Sequence, residues 1–252
     1  IAMKPLAGGF DLDVVRSTTA YRTNSSNLLE SVAANVPRLD YDGVTCPSVL
    51  VEAQSTNLLL YSQEFDNSWW KKNSSTVTAN DSVAPDGTTT AEKLALGGVN
   101  LARLFRNSTV TTSNTHTFSI WMKGTAGEQV TLEAGSGANS VTLTANWVRY
   151  SVVNTGGETS TNVKVINRSS NGDDANDIYI WGAQLEETST ASSYIVTGAS
   201  QATRNADVLS VTGLTGNSTV TETFEDDSTN VITNPSTYTM STGRVKKVTR
   251  TV

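Results

Sequence analysis

The chain has 252 residues, a formal net charge of −6 at pH 7, 37% hydrophobic residues and only 17% charged residues. So low a charged fraction disfavours a coiled coil or a charged disordered tail. The net negative charge argues against a nucleic-acid partner, because grooves for phosphates need clustered cations. Ser, Thr and Asn are abundant, and they suit strands and turns better than helix interiors. The composition therefore predicts an all-β protein.

The pattern of apolar residues and turn signals divides the sequence into three segments. Residues 1–55 mix small residues and isolated hydrophobics with turn signals such as NSSN and DG, which predicts an N-terminal attachment or stalk segment. In residues 56–197 a strand-like run occurs every ten to fifteen residues, and turns such as APDG, GSGAN and NTGGE separate the runs. This spacing is typical of a β-sandwich or jelly roll. Residues 198–252 give short alternating strands and are predicted to be a C-terminal β segment.

Within the central segment, DIYIWGAQLE is apolar on both faces, which predicts a central strand covered on two sides. The one candidate helix, TTTAEKLAL, is better interpreted as the start of a strand, because Thr and Gly flank it. No stretch approaches the roughly 20 apolar residues of a membrane-spanning helix, and the longest apolar run is NLLLY. We therefore expect no membrane insertion.

The chain has one histidine and one cysteine, which excludes several kinds of catalytic and metal site. His116 is the only histidine, and in HTFSIWMK it alternates in phase with Phe118 and Ile120, which predicts a strand-end histidine beside a core row rather than a catalytic base. Cys46 is the only cysteine, so neither an internal disulfide nor a closed zinc site can form.

The charges separate near the C-terminus. Glu222, Glu225, Asp226 and Asp227 precede a final segment that holds Arg244, Lys246, Lys247 and Arg250. This pattern favours cross-strand ion pairs, in the same chain or a neighbouring one, over a basic anchor for an acidic partner. Both outer segments look poor in core residues, so we expect them to be buried against identical neighbours in a homotrimer.

Several phrases, taken in order, resemble a module of tailed-bacteriophage virion proteins: tail fibres, head fibres and head spikes. They are SVAANVPRLDYDG, CPSVLVEAQSTNLLLYSQEFDNSWWKK, APDGTTTAEKL, HTFSIWMKG, TLTANWVRYSV and DIYIWGAQLEETSTASSYIVTGASQATRNADVLS, which span roughly residues 17–210. The resemblance implies a non-enzymatic part at the surface of a phage particle. Such parts are commonly trimeric, contact other virion proteins and often face the host surface.

The central segment has an opening strand that ends in EF, a FSIWMK strand, a W-x-R-Y strand and a closing Y-I-x-x-x-Q-L-E strand. In these strands it is similar to the galactose-binding-like jelly rolls of carbohydrate-binding modules, which implies host surface polysaccharide as a partner. Sugar recognition needs flat aromatic faces and orienting polar groups. Trp70 and Trp121 are the candidate platforms, with Arg149 as a candidate sugar contact. Trp147 and Trp181 lie in strongly strand-like runs and are expected in the core instead.

Related jelly rolls often carry a structural calcium ion, which binds oxygen ligands. Glu64, Asp66 and Glu186 occupy places where those modules supply such ligands, and they are the candidate calcium ligands here. The closing strand departs from the related pattern at Trp181 and Gly182. The run NGDDAND lacks the ordered spacing of an EF-hand loop and is expected to be a solvated turn.

Three other functions stay open on the sequence alone. A purely structural capsid decoration or collar protein would bury its tryptophans and bind no ligand. A polysaccharide-degrading tailspike would need two carboxylates flanking the scissile bond, and no recognisable pair is present in the sequence. A secreted bacterial adhesin or enzyme-attached binding module would carry a signal peptide upstream.

Overall fold

The computed structural model describes residues 12–42, 45–109, 114–156, 160–212, 214 and 218–251. The described residues form strands and one short 3-10 turn at Ser169–Asn171, with no α-helix. The strands are β1 (Leu12–Val15), β2 (Ala20–Thr23), β3 (Leu29–Val32), β4 (Arg38–Asp40), β5 (Ser48–Val51), β6 (Ser55–Asn57), β7 (Lys71–Asn73), β8 (Thr76–Ser82), β9 (Ala91–Ala95), β10 (Arg103–Thr109), β11 (His116–Lys123), β12 (Gln129–Ala134), β13 (Gly137–Thr142), β14 (Val148–Asn154), β15 (Ser160–Ile166), β16 (Asp177–Glu186), β17 (Ala202–Arg204), β18 (Val208–Thr212), β19 (Thr219–Phe224), β20 (Thr229–Thr233), β21 (Thr237–Thr239) and β22 (Gly243–Thr251). The prediction of an all-β protein is confirmed.

The chain divides into two compact units. One contains residues 55–203, and the other combines residues 1–54 with residues 204–252. The segments that the sequence separates at the two ends therefore belong to the same unit. No helix among the described residues is long and apolar enough to cross a membrane.

The unit of residues 55–203 is a jelly-roll sandwich of two five-stranded antiparallel sheets. Sheet I has the order β13-β12-β15-β10-β7, and sheet II has the order β14-β11-β16-β9-β8. One hydrophobic cluster takes side chains from both sheets, including Leu132 and Val165 from sheet I and Phe118, Ile120 and Ile180 from sheet II. The period-2 alternation of these strands places their apolar residues on the inner faces and leaves the intervening residues on the outer faces.

Strand β16 lies in the middle of sheet II, between β11 and β9, and is buried from Ile180 to Glu186. The prediction of a central strand covered on both sides is confirmed. The pairing of β11 with β16 shifts register between Ser119 and Trp121. Gly182 lies at this irregularity with φ of +65°, and a Cβ there would be 2.9 Å from Cε3 of Trp121. Both the left-handed backbone and the close approach of the indole require glycine.

The other unit has a sheet of order β20-β19-β22-β5-β4, a three-stranded sheet of order β1-β18-β21 and the hairpin β2-β3. Its hydrophobic cluster includes Val49, Val51, Leu209, Val220 and Val245. The two terminal segments thus contribute to one hydrophobic core. The residue pattern of each segment, taken alone, did not indicate this shared core.

A buried ionic cluster lies in the same unit. Asp207 accepts hydrogen bonds from Arg16 Nη1 at 2.7 Å, from Arg38 Nη2, and from the Glu52 backbone N–H at 2.9 Å. Arg38 also pairs with the Glu52 carboxylate at 2.8 Å, and Arg204 lies 3.5 Å from it. The three arginines are each at most 1% exposed. Because burial of unpaired charge is costly, this cluster makes the unit depend on its carboxylates.

The predicted cross-strand ion pairs near the C-terminus are present. Lys246 pairs with Asp227, and Arg244 pairs with Asp40, Asp42 and Glu225 within the same unit. Glu222 instead accepts hydrogen bonds from Asn230, Tyr238 and Ser241. Burial of Glu222 opposes its ionisation, but these donors outweigh burial and hold its pKa below the ordinary value.

Candidate functional site

Trp70 does not offer a platform for a sugar. The side chain is 2% exposed, its ring centroid lies 5.2 Å from that of Phe65, and its Nε1–H donates to the Tyr61 carbonyl at 3.0 Å. In an extended segment, the neighbours Trp69 and Trp70 would point to opposite faces, and one of them would be exposed. Residues 67–70 instead form a turn that directs Trp70 into the hydrophobic cluster. We therefore correct the expectation for this residue.

Trp121 and Arg149 lie side by side on the outer face of sheet II, where Trp121 is buried and Arg149 is half-buried. The Trp121 ring is 9% exposed and packs edge-on against the rings of Trp181, at 5.4 Å, and Tyr194, at 5.5 Å. The Arg149 guanidinium lies over the Trp121 ring at 4.3 Å and donates to the Ser192 carbonyl at 2.6 Å. The chain after β16 returns over this part of the sheet, which removes Trp121 as a sugar platform.

The expectations for Trp181 and Trp147 have different outcomes. Trp181 is fully buried, as expected, and its Nε1–H donates to Thr90 Oγ1 at 3.1 Å. Its ring packs against Trp121 and Tyr194 rather than in the hydrophobic cluster between the sheets. Trp147 is only half-buried and stays outside both hydrophobic clusters, so the expectation of core packing is wrong for it. His116 is buried at the start of β11, with Nε2 3.6 Å from the Glu187 carboxylate.

The outer face of sheet II has a second transverse row of side chains next to the covered one. Lys123 is opposite Tyr179, and Tyr179 is opposite Lys93. Trp147 directly precedes Val148, the partner of Met122, so it continues the row on the other side of Lys123. We call Trp147, Lys123, Tyr179 and Lys93 the aromatic row. All four residues are half-buried.

Specific contacts fix the geometry of the aromatic row. The Lys123 ammonium lies 4.9 Å from the centroid of the Trp147 ring and 5.2 Å from that of Tyr179. The two rings are therefore no more than about 10 Å apart, which matches two interstrand spacings of about 4.8 Å. Trp147 Nε1–H donates to the Val83 carbonyl at 3.0 Å, which anchors the indole. The row is thus a strip of two flat rings with an ammonium group between them.

One end of the aromatic row carries an ion pair. Lys93 Nζ is 2.7 Å from the Asp177 carboxylate. The hydrogen bond from Lys93 to Asp177 and the attraction of the two charges raise the pKa of Lys93, so its ammonium is charged at neutral pH. The row therefore offers donors from two lysines and an acceptor from one carboxylate beside two rings.

The three predicted calcium ligands do not come together. Glu186 is buried, and its carboxylate accepts hydrogen bonds from Ser55 Oγ at 2.6 Å and from the Ser192 N–H at 3.0 Å. Glu64 and Asp66 are exposed in the turn region before β7. Among the described residues no group of three or more His, Cys, Asp or Glu side chains is placed to hold a metal ion. The oxygens of Glu186 thus accept hydrogen bonds from Ser55 and Ser192 within the chain.

Two other carboxylates have structural surroundings. The backbone N–H of Asp66 donates to the buried Glu92 carboxylate at 2.9 Å, and burial together with the nearby Asp66 charge raises the pKa of Glu92 to about 8. In the run NGDDAND, Asp173 is buried and accepts hydrogen bonds from Thr131 Oγ1 at 2.6 Å and from Ser140 Oγ at 3.0 Å. The run is therefore a turn tied to sheet I at Asp173 rather than fully solvated.

Comparison with known proteins yields similarity of structure alone. No protein-family model and no curated protein matches the chain. The chain is similar to a family 61 carbohydrate-binding module, TmCBM61, solved with β-1,4-galactotriose, at 18% identity over 51% of this chain and 97% of that one, with a TM-score of 0.40. It is similar to a family 16 carbohydrate-binding module, at 18% identity over 51% of this chain and 99% of that one, with a TM-score of 0.39.

A third similarity is to the enzymatically active domain of tailspike protein 4 from bacteriophage CBA120. The identity is 13% over 51% of this chain and 21% of that one, with a TM-score of 0.36. At such identities and TM-scores, none of the three similarities supports an argument about ligand or activity. The function is therefore inferred from the side chains of this chain.

Proposed function

We propose that this chain is a non-enzymatic adhesion component of a phage virion fibre or spike, and that it binds host surface polysaccharide. The aromatic row is the observation that carries the proposal. The resemblance of the ordered phrases to virion fibre and spike proteins supports the placement on a phage particle.

The chemistry of the aromatic row suits a carbohydrate chain. The C–H side of a pyranose is apolar and packs on flat aromatic rings, while its hydroxyl groups need donors and acceptors at the edges of those rings. Trp147 and Tyr179 supply two rings across the strands, and Lys123 supplies a donor between them. An extended saccharide laid across sheet II would contact both rings at once.

We further propose that the assembled protein is a homotrimer. A half-buried strip with two rings gives a small contact area, for which weak affinity per site is expected. Several copies presented together on one particle convert weak single-site binding into strong adhesion through effective concentration. Monomeric behaviour at micromolar concentration in light scattering would contradict the trimer without affecting the proposal for the aromatic row.

A glycan array of host surface polysaccharides, probed with the assembled protein so that avidity is retained, tests the proposal. We expect a saturable signal that is lost in the variants Trp147→Ala and Tyr179→Ala. Tyr179→Phe keeps the ring and removes only the hydroxyl, so it serves as the matched variant that retains most of the signal.

Two results would contradict the proposal. One is the absence of any signal from correctly assembled protein, which would favour a structural decoration or collar protein. The other is release of reducing ends from the bound polysaccharide, which would show an enzyme of the tailspike kind. Retention of binding in both Ala variants would place the glycan elsewhere on the chain.

A further inference from the structure

The outer face of sheet I concentrates positive charge around one aromatic ring. Lys71 is opposite Phe105 in one pairing, Phe105 is opposite Lys164 in the next, and Lys164 is opposite Glu133. Arg103 lies two residues before Phe105 on the same face, with its guanidinium 5.1 Å from the ring centroid. Arg168 reaches the same Glu133 carboxylate. We call Lys71, Arg103, Phe105, Lys164 and Arg168 the basic face.

This concentration of cations departs from the composition of the unit. Residues 55–203 contain nine Lys and Arg against thirteen Asp and Glu, which gives a net charge of −4. Four of the nine cations lie on the basic face. Among the described residues, Glu133 contacts the side chains of Lys164 and Arg168, and Asp173 accepts a hydrogen bond from the Arg168 backbone N–H. The face is therefore positive by two charges on a unit that is otherwise acidic.

The carboxylates of the chain leave part of this charge unmatched. Glu133 is shared between Lys164, at 2.6 Å, and Arg168. Burial of Glu133 opposes its ionisation, but the hydrogen bonds and charges of those two cations outweigh burial and lower its pKa, so Glu133 is fully charged at neutral pH. In the described part of the chain, no ion pair joins Lys71 or Arg103 to a carboxylate.

Backbone carbonyls hold these two side chains instead. Lys71 Nζ donates to the Ser68 carbonyl at 3.1 Å, and Arg103 Nη1 donates to the Leu101 carbonyl at 3.3 Å. Lys71 is exposed and Arg103 is half-buried. Both cations thus lie beside Phe105 without a carboxylate partner among the described residues.

We infer that the basic face binds an acidic polysaccharide, in which uronate carboxylates pair with Lys71 and Arg103. A guanidinium presents two parallel N–H donors that match a carboxylate, and an ammonium adds a second charged donor. Phe105 supplies an apolar surface for the C–H side of a sugar ring between them. Arg103 is the diagonal neighbour of Lys71 across the pairing of β7 with β10, about 7–8 Å away, so two anionic groups of one extended chain would meet separate cations.

A nucleic acid fits the same face less well. Stacking of successive bases needs a series of rings, whereas Phe105 is the one aromatic side chain of this row. Glu133 also places a carboxylate in the row where a continuous phosphate backbone would run. The anionic groups of a polysaccharide are spaced by whole sugar units, so they can avoid that carboxylate.

The test measures binding of polygalacturonate and of neutral dextran to the full chain by biolayer interferometry, at several salt concentrations. We expect binding of polygalacturonate that weakens as salt increases, and no binding of dextran at the basic face. The double variant Lys71→Gln/Arg103→Gln should weaken polygalacturonate binding about tenfold, since about 1.4 kcal/mol corresponds to a factor of ten.

The matched control is Lys246→Gln/Lys247→Gln, which removes the same net charge from the other unit and should leave the affinity within about twofold. The variants Trp147→Ala and Tyr179→Ala should retain polygalacturonate binding, so failure of the aromatic row and failure of the basic face are distinguishable. Unchanged affinity in the Lys71/Arg103 variant, an equal loss in the control, or equally tight binding of single-stranded poly(dT) would overturn the inference.

Discussion

The buried ionic cluster of the unit formed by the two ends of the chain gives the sharpest stability prediction. Asp207→Asn keeps the shape of the side chain, so it creates no cavity and isolates the effect of the charge. In the native cluster the Asp207 carboxylate contacts Arg16 and Arg38, and Arg204 Nη1 lies 3.9 Å from it. Removal of the charge takes from these three buried arginines the carboxylate that they share, while Arg38 and Arg204 keep their contacts with Glu52.

Arg16 then has no carboxylate within the described chain, because its other hydrogen bonds go to the carbonyls of Thr18, Val32, Ala33 and Val36. Loss of one partner of a buried ion pair typically costs about 3–5 kcal/mol, because the remaining charge stays buried without compensation. The amide oxygen of Asn can still accept one hydrogen bond, so we expect a value near the lower end. Such a loss is a large part of the roughly 5–15 kcal/mol that stabilises a typical domain.

The assay is urea unfolding followed by far-UV circular dichroism, because all five tryptophans lie in residues 55–203 and report on the other unit. Asp227→Asn is the matched control, since the Asp227–Lys246 pair lies at the surface of the same unit and exposed pairs contribute at most about 1 kcal/mol. A loss for Asp207→Asn no larger than for Asp227→Asn would refute the role assigned to the cluster.

Two further predictions concern the jelly roll. The pKa of Glu92 is about 8 in the folded protein and 4.5 in the unfolded chain, so the unit should lose stability as pH rises from 4.5 to 8, by about 1.4 kcal/mol per pH unit. Glu92→Gln should flatten this pH dependence of the free energy of unfolding, measured by tryptophan fluorescence. An unchanged slope in the variant would contradict the prediction. Gly182→Ala should destabilise the unit by more than about 1 kcal/mol through backbone strain and contact with Trp121. Gly127→Ala, which also has positive φ but open space around it, should cost only the strain, so equal losses would contradict the proposed contact.

The sequence was sufficient for the fold class and for much of the sheet pattern. Alternation in HTFSIWMK correctly separated Phe118 and Ile120 from Trp121, because the side chains of a strand alternate between its two faces. Alternation does not tell whether an outer face is covered. The return of the chain over sheet II buries Trp121 and supplies the Ser192 carbonyl that binds Arg149, while Trp147 and Tyr179 stay half-buried. No local pattern in the sequence indicates this return.

The candidate sites depended on the same missing information. Lys123 and Tyr179 are neighbours only through the pairing of β11 with β16, and Lys71 and Phe105 only through the pairing of β7 with β10. These registers join residues that are far apart in sequence. A cation close to an aromatic residue in the sequence, such as Arg149 near Trp147, does not indicate which strands pair or in which register. The buried Glu186 likewise looked like a metal ligand until its serine donors were known.

The central claim is that the aromatic row binds carbohydrate. The most direct measurement is a crystal structure of the chain soaked with the saccharide that gives the strongest array signal. The account predicts sugar rings stacked on Trp147 and Tyr179, with a hydroxyl group bonded to the Lys123 ammonium between them. A saccharide bound elsewhere on the chain, with both rings uncovered, would contradict it.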